Sequence, residues 1–158
     1  LAQRVKELSE YRSEFFGKLK EIIGNRDDIK IIGDRFVFQS EVLFDSGEAN
    51  IGIEGQRQLA KLSVAIQDLI NEIPQEINWI LRIDGHTDRV PIRNSRYESN
   101  WELSAARAIS VVDFLIKTGI PPNRLAATGR GEFMPLETGD NEIAYKKNRR
   151  IEIKLTES

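Results

Sequence analysis

The sequence predicts an α/β two-layer sandwich in which a mixed sheet is covered on one face by helices, and three observations carry that prediction. Residues 77–83 alternate Ile77, Trp79, Leu81 and Ile83 against Asn78, Arg82 and Asp84, the period of a half-buried strand. Two stretches, 53–73 and 99–118, carry apolar residues at helical spacing. The C-terminal run 150–156 returns to period two, with Ile151, Ile153 and Leu155 opposite Arg150, Glu152 and Lys154, and closes the sheet. Strands and helices thus alternate through roughly 120 residues without internal repeats, the pattern of a layered domain.

In chain order, residues 1–24 lack proline and place Leu1, Val5, Leu8, Phe15, Leu19 and Ile22 at alternating spacings of four and three, with Arg12 in the seam and Tyr11 beside it. This is an N-terminal helix with a heptad-like stripe. Two uses of the stripe are open: a self-associating coiled-coil stalk, or packing on the domain's own surface. Gly24 and Asn25 end it, and residues 25–158 form the main domain. A leading hairpin pairs 29–32 with 35–38 through Gly33-Asp34, where glycine supplies the positive φ of a tight turn. The helix from Ile53 stops at Pro74. Ser99 followed by Glu102 forms a capping box for a helix to about Thr118, ended by Gly119 and Pro121-Pro122. Residues 124–129 suit another strand.

Composition narrows the functions. The chain has 158 residues, 40% hydrophobic and 30% charged, enough for one domain with a core. A net charge of -2 lacks the electropositive footprint of a nucleic-acid binder. The absence of cysteine excludes disulfides and thiolate metal sites. No apolar run reaches the length that crosses a bilayer, so a membrane anchor or signal is expected upstream of Leu1.

Chemistry concentrates in 83–88, Ile-Asp-Gly-His-Thr-Asp, and in the helix start 99–107. Arg107 falls on the edge of the apolar stripe of Ala108, Val111, Val112 and Leu115, where a guanidinium needs an anionic partner. Asp88 is the candidate. Either the two form a salt bridge that ties loop to helix, or they stand apart and take the ends of one zwitterion, carboxylate on Arg107 and ammonium on Asp88. His86, the sole histidine, has no second imidazole or thiolate for a metal and is expected to orient the loop. No serine sits in a nucleophile elbow, and Gly129-Arg130-Gly131 lacks the third glycine of a dinucleotide fingerprint. No cofactor or metal and no catalytic residue is therefore expected. The cluster Lys146, Lys147, Arg149 and Arg150 reads as a solvated face, one arginine of which, taken as Arg150, borders the binding cleft.

Four ordered motifs, Gly85-His86-Thr87-Asp88, Asn100 with Leu103-Ser104-Ala105-Ala106-Arg107-Ala108, Gly129-Arg130-Gly131-Glu132 with Pro135, and Asn148-Arg149-Arg150-Ile151, resemble the OmpA-like peptidoglycan-binding domain over about residues 40–156. The stretch 99–104 and the long loop before it resemble the MotB-like branch of flagellar stator anchors. The resemblance implies a β-α-β-α-β-β domain that binds diaminopimelate of the peptidoglycan stem peptide non-covalently. By position, Asp88 takes the ammonium and Arg107 the carboxylate, Thr87, Asn100 and Leu103 shape the pocket, and Phe44 and Asp45 present backbone. Gly47 stands where some relatives place a side-chain amide, and the 89–98 loop is longer and more charged than in OmpA or lipoprotein relatives. It implies a wall anchor in the periplasm of a Gram-negative bacterium, tethered to the membrane, with a membrane-embedded partner, peptidoglycan as ligand, and a homodimer through the N-terminal helix. Competing readings are a dimerising stator domain with secondary wall contact, and a wall-acting hydrolase or transferase using Asp88 or His86 as base.

Overall fold

The computed structural model describes residues 2–94 and 96–158. The elements are α1 (Ala2–Ile23), β1 (Ile29–Ile32), β2 (Arg35–Gln39), α2 (Ser40–Leu43), α3 (Ile53–Glu72), β3 (Trp79–His86), α4 (Asn100–Lys117), a 3-10 turn (Pro122–Arg124), β4 (Leu125–Gly129), α5 (Glu142–Asn148) and β5 (Arg150–Glu157). The five strands form one sheet in the order β1-β2-β5-β3-β4. β3 and β4 run parallel and the other pairs antiparallel, so the sheet is mixed as the sequence predicts.

Strand alternation sorts the two faces. Phe36, Phe38, Trp79, Leu81, Ile83, Ile151, Ile153 and Leu155 enter one core with the apolar faces of α1, α3 and α4. Removing such side chains from water contributes on the order of 1.5–3 kcal/mol each. The hairpin turn uses Gly33 at φ 60°, as its composition requires.

The stripe of α1 packs on the domain itself. Leu8, Phe15, Phe16, Leu19 and Ile23 are buried in the common core, and α1 lies on α3 and touches β5. An aromatic row, Phe15, Phe16, Phe36 and Phe38, joins helix to hairpin with ring centroids 5.5–5.6 Å apart. Of the two uses left open by the spacing, packing takes Leu8, Phe15 and Leu19 of the expected stripe, whereas Ile22 is 39% exposed because Ile23, with Phe16, turns into the core instead. The seam positions Leu1 and Val5 lie outside the described side chains.

Three elements differ from expectation. β3 starts at Trp79 rather than Ile77, because the turn after Pro74 is closed by Ile77 N donating to Pro74 O at 3.1 Å. α2 and α5 escape the periodic reading because they are only 4 and 7 residues long, too short to show a stripe. α5 is instead fixed by its cap, with Ala144 N donating to Asn141 Oδ1 at 2.9 Å.

Two glycines set where α4 lies. A Cβ at Gly85 would stand 2.2 Å from the Ser104 carbonyl oxygen, and one at Gly129 2.7 Å from Ala105. These glycines end the paired stretch of β3 and β4. Backbone-to-backbone approach here seats the first two turns of α4 directly on the strand ends.

Candidate functional site

The functional candidates gather where β3 ends and α4 begins, at the carboxyl end of the parallel strand pair, where sheets of this type bind ligands. A cavity of about 430 Å³ opens there. Its lining includes Phe44, Thr87, Asp88, Asn100, Leu103 and Arg107, six of the residues singled out from sequence. α4 supplies Asn100, Leu103 and Arg107 from one face, spaced three and four apart. Ser99 Oγ accepts from Glu102 N at 3.3 Å and starts the helix as the capping box predicts.

Arg107 is 4% exposed. Its Nε donates to Glu48 O at 2.8 Å, its Nη2 to Asp45 O at 3.2 Å, and its guanidinium lies 5.0 Å from the centre of the Phe44 ring. Burial pushes its pKa below the ordinary arginine value, though it remains a cation. One edge of the fork is spent on the loop 45–48, leaving Nη1 and the second proton of Nη2 for a ligand.

Asp88 is not the partner of Arg107. Its Oδ2 accepts from Arg149 Nη1 at 2.7 Å, and its Oδ1 accepts from Val90 N at 3.0 Å. Thr87 Oγ1 donates to Asp88 O, and Asn100 Nδ2 donates to Asp88 O at 3.3 Å and Val90 O at 3.2 Å, so α4 and the loop hold each other. Asp88 and Arg107 thus line one cavity with other partners, which removes the direct salt bridge among the described residues.

Of the basic cluster, the arginine that borders the cavity is Arg149 rather than the expected Arg150. It also binds Glu41 through Nε at 2.6 Å and Glu142 through Nη2 at 2.7 Å. Burial opposes its charge, but the hydrogen bonds to Glu142, Asp88 and Glu41 outweigh this and hold its pKa above the ordinary arginine value. Arg150, expected at the cleft, does not line it. As the first residue of β5 it shares parity with Glu152 and points to the opposite sheet face, donating to Glu152 Oε2 at 2.6 Å, Asn148 O at 3.0 Å and Met134 O at 2.7 Å. The alternation of Ile151, Ile153 and Leu155 already implied that side.

Asp45 offers its carbonyl to Arg107 and to Glu48 N rather than to the cavity. Ser46 and Gly47 form the wall there. Gly47 has φ 70°, a left-handed position that favours glycine. Asn94 of the long loop brings a side-chain amide to that spot, its Nδ2 lying 3.6 Å from where a Gly47 Cβ would be. Arg96 Nη1 adds a 3.0 Å bond to Glu48. The loop therefore contributes a rim, with Val90, Pro91 and Ile92 facing the cavity; Ser95 lies outside the described residues.

The outer sheet face buries a second charged cluster. Asp84, His86 and Glu152 could each bring one ligand atom within 4.8 Å of the others. Both carboxylates are already engaged, Asp84 by Arg82 and Thr128, Glu152 by Arg35 and Arg150. Three guanidinium groups make this a poor cation site. His86 is 2% exposed, its Nε2 stands 3.6 Å from Glu152, and neither ring nitrogen has a hydrogen-bond partner. Burial lowers its pKa, favouring the neutral ring.

Comparison with known proteins follows the same outline. Residues 43–149 match the OmpA family model. The chain is 34% identical over 116 residues to motility protein B of Bacillus subtilis, covering 73% of this chain and 42% of that protein. It spans about half the length of the curated relatives it matches, 53% and 42% for two of them. Among solved structures, a MotB-like protein of Desulfovibrio vulgaris superposes with a TM-score of 0.82 at 29% identity, covering 97% of this chain and 95% of that one. The cell wall anchor of the type VI secretion system of Pseudomonas aeruginosa gives 0.71 at 30% identity, covering 92% and 96%. With a family model matching residues 43–149 and MotB relatives or MotB-like neighbours in both sequence and structure, the chain belongs to the OmpA family, in its MotB-like branch.

Proposed function

We infer that this domain binds peptidoglycan non-covalently by the zwitterionic end of diaminopimelate, and so anchors the protein that carries it to the cell wall. The observation that supports this is the arrangement of charge in one cavity: a buried guanidinium with a free edge at Arg107, and a carboxylate at Asp88 oriented by Arg149 and Val90 N, with Asn100 holding the Asp88 backbone carbonyl. A carboxylate meets the free Nη edge of Arg107, and an ammonium meets Asp88. Thr87, Asn100 and Leu103 shape the space between them, Phe44 backs the guanidinium, and Val90, Pro91 and Ile92 offer an apolar wall to the ligand's methylenes. Asp45 acts indirectly, by holding Arg107.

The likeness to a cell wall anchor and to motility protein B supports anchoring as the role. In this reading the domain is a binding module rather than an enzyme, faces the wall from the periplasm, and is tethered to a membrane with an embedded partner in the full-length protein. No described helix is itself long and apolar enough to cross a membrane. Pairing of two copies through α1 cannot use Leu8, Phe15, Phe16, Leu19 or Ile23, which are in the domain's core.

The test is co-sedimentation with purified sacculi. The domain pellets with the wall, Asp88→Ala does not, and circular dichroism shows both folded. Equal pelleting of the folded variant overturns the reading, and release of soluble wall fragments favours an enzyme instead.

A further inference from the structure

Outside the cavity, an exposed aromatic pair stands beside the start of α4. Trp101, in the first turn of α4, and Phe133, in the loop after β4, stack with centroids 5.0 Å apart and planes at 27°. They remain 52% and 62% exposed, with Met134 beside them at 45%. Large aromatic rings left in water in this way mark a binding surface. The pair is built into the site from behind. Both rings pack at 3.4 Å from where a Cβ of Gly131 would stand, Gly131 N donates to Ser104 Oγ at 3.0 Å, and Gly131 O accepts from Thr87 N at 2.9 Å. Thr87 precedes Asp88 in the cavity, so one backbone hydrogen bond and one van der Waals contact separate the candidate peptide site from the rings.

We propose that Trp101 and Phe133 form a saccharide platform on which a sugar of the glycan strand stacks while its stem peptide occupies the cavity. This rests on the peptide-binding reading above. A peptide held in the cavity is covalently continuous with the glycan a few residues away. Extended chain covers about 3.3–3.6 Å per residue, so a stem peptide of three residues reaches roughly 10 Å from the cavity toward the glycan. The platform's size also fits. Stacked on one another, the rings leave an outer aromatic face with Met134 beside it, room for one pyranose, whereas a specific protein partner requires about 800 Å² per side. The surroundings are polar, with Glu98, Glu102, Arg130 and Glu132 nearby in sequence to meet hydroxyl and acetamido groups. Arg130 has its Nη1 4.0 Å from Met134 Sδ and no carboxylate partner among the described residues. The pyranose C–H face stacks on the rings, and its equatorial polar groups reach these side chains.

The experiment compares two synthetic ligands by calorimetry on the folded domain: a diaminopimelate-containing stem peptide, and the same peptide carrying its disaccharide. The disaccharide-peptide binds about ten-fold more tightly, and Trp101→Ala and Phe133→Ala each bring it down to the affinity of the bare peptide, which itself changes less than two-fold. Equal affinity of the two ligands for the wild type overturns the platform while leaving the peptide site intact. The platform is equally overturned if Trp101→Ala keeps the full increment, which would assign the rings to a protein partner. Failure of both ligands to bind the wild type overturns the peptide site, and the platform with it.

Discussion

Replacing Arg107 by lysine keeps the charge and removes the fork. In the structure the guanidinium divides its donors: Nε and Nη2 hold Glu48 O and Asp45 O, and the remaining Nη protons face the cavity. A lysine ammonium has three donors on a single atom and cannot reach both the loop carbonyls and a carboxylate with two parallel bonds. Losing one charge-assisted hydrogen bond costs about 1.5–3 kcal/mol, so an intermediate loss of about 2 kcal/mol corresponds to roughly 30-fold weaker binding. Calorimetry with the stem peptide measures this directly, and thermal unfolding separates it from loss of the loop contacts. A double cycle with a peptide whose terminal carboxylate is amidated isolates the pair: amidation weakens wild-type binding by a similar factor and barely affects Arg107→Lys. If Arg107→Lys binds within two-fold of wild type, or if amidation weakens both proteins equally, the carboxylate is not read by Arg107 and the assignment fails.

Other perturbations test the scaffold. Gly85→Ala places a methyl group 2.2 Å from a backbone oxygen of α4, so it lowers stability by about 1–3 kcal/mol in denaturant titration and weakens peptide binding, because the helix that carries Asn100 and Arg107 must move. Leu19→Ala opens a cavity under a residue with no exposure and costs about 2–5 kcal/mol; a loss under 0.5 kcal/mol would mean that α1 is a detachable stalk. His86 has its folded pKa depressed below the ordinary value near 6.5. Its stabilising contribution is therefore present above pH 6.5 and is lost as pH falls through the lower folded value. His86→Gln flattens the stability-against-pH curve just below 6.5. Burial opposes the charge of Glu152, but the Arg150 and Arg35 guanidinium groups hold its carboxyl well below the ordinary range and add a separate loss below about 4.5, its ordinary value.

Much of this was legible in the residues. Elements long enough to show a period, such as α3, α4, β3 and β5, follow from it, and the cap at Ser99 and the turn at Gly33 follow from local chemistry. The short α2 and α5 do not, because a single turn carries no period and their placement depends on tertiary bonds. The site was partly legible for the same reason. Arg107 betrays itself as a charge on an apolar edge, while Arg149 sits at a helix end beside another arginine and reaches the cavity only because β5 begins one residue later. Strand parity should have sent Arg150 to the outer face. That Asp88 answers to Arg149 rather than Arg107 depends on long-range assembly, the partners being 61 positions apart in sequence, and no spacing rule contains it.

The close seam between α4 and the ends of β3 and β4 bears on how an anchor carries load. A carboxylate gripped by Arg107 hangs on a helix whose backbone rests on the sheet at Gly85 and Gly129, with no compliant layer of side chains between. In the proposed reading, an ammonium gripped by Asp88 hangs on a loop held by hydrogen bonds to Arg149 and Asn100 rather than by backbone contact with the sheet. Tension on a bound wall peptide then meets a close-packed backbone fixing at one end and a hydrogen-bonded one at the other. In single-molecule pulling the domain releases its ligand in sequence, loop end first, and Gly85→Ala brings the second rupture down toward the force of the first.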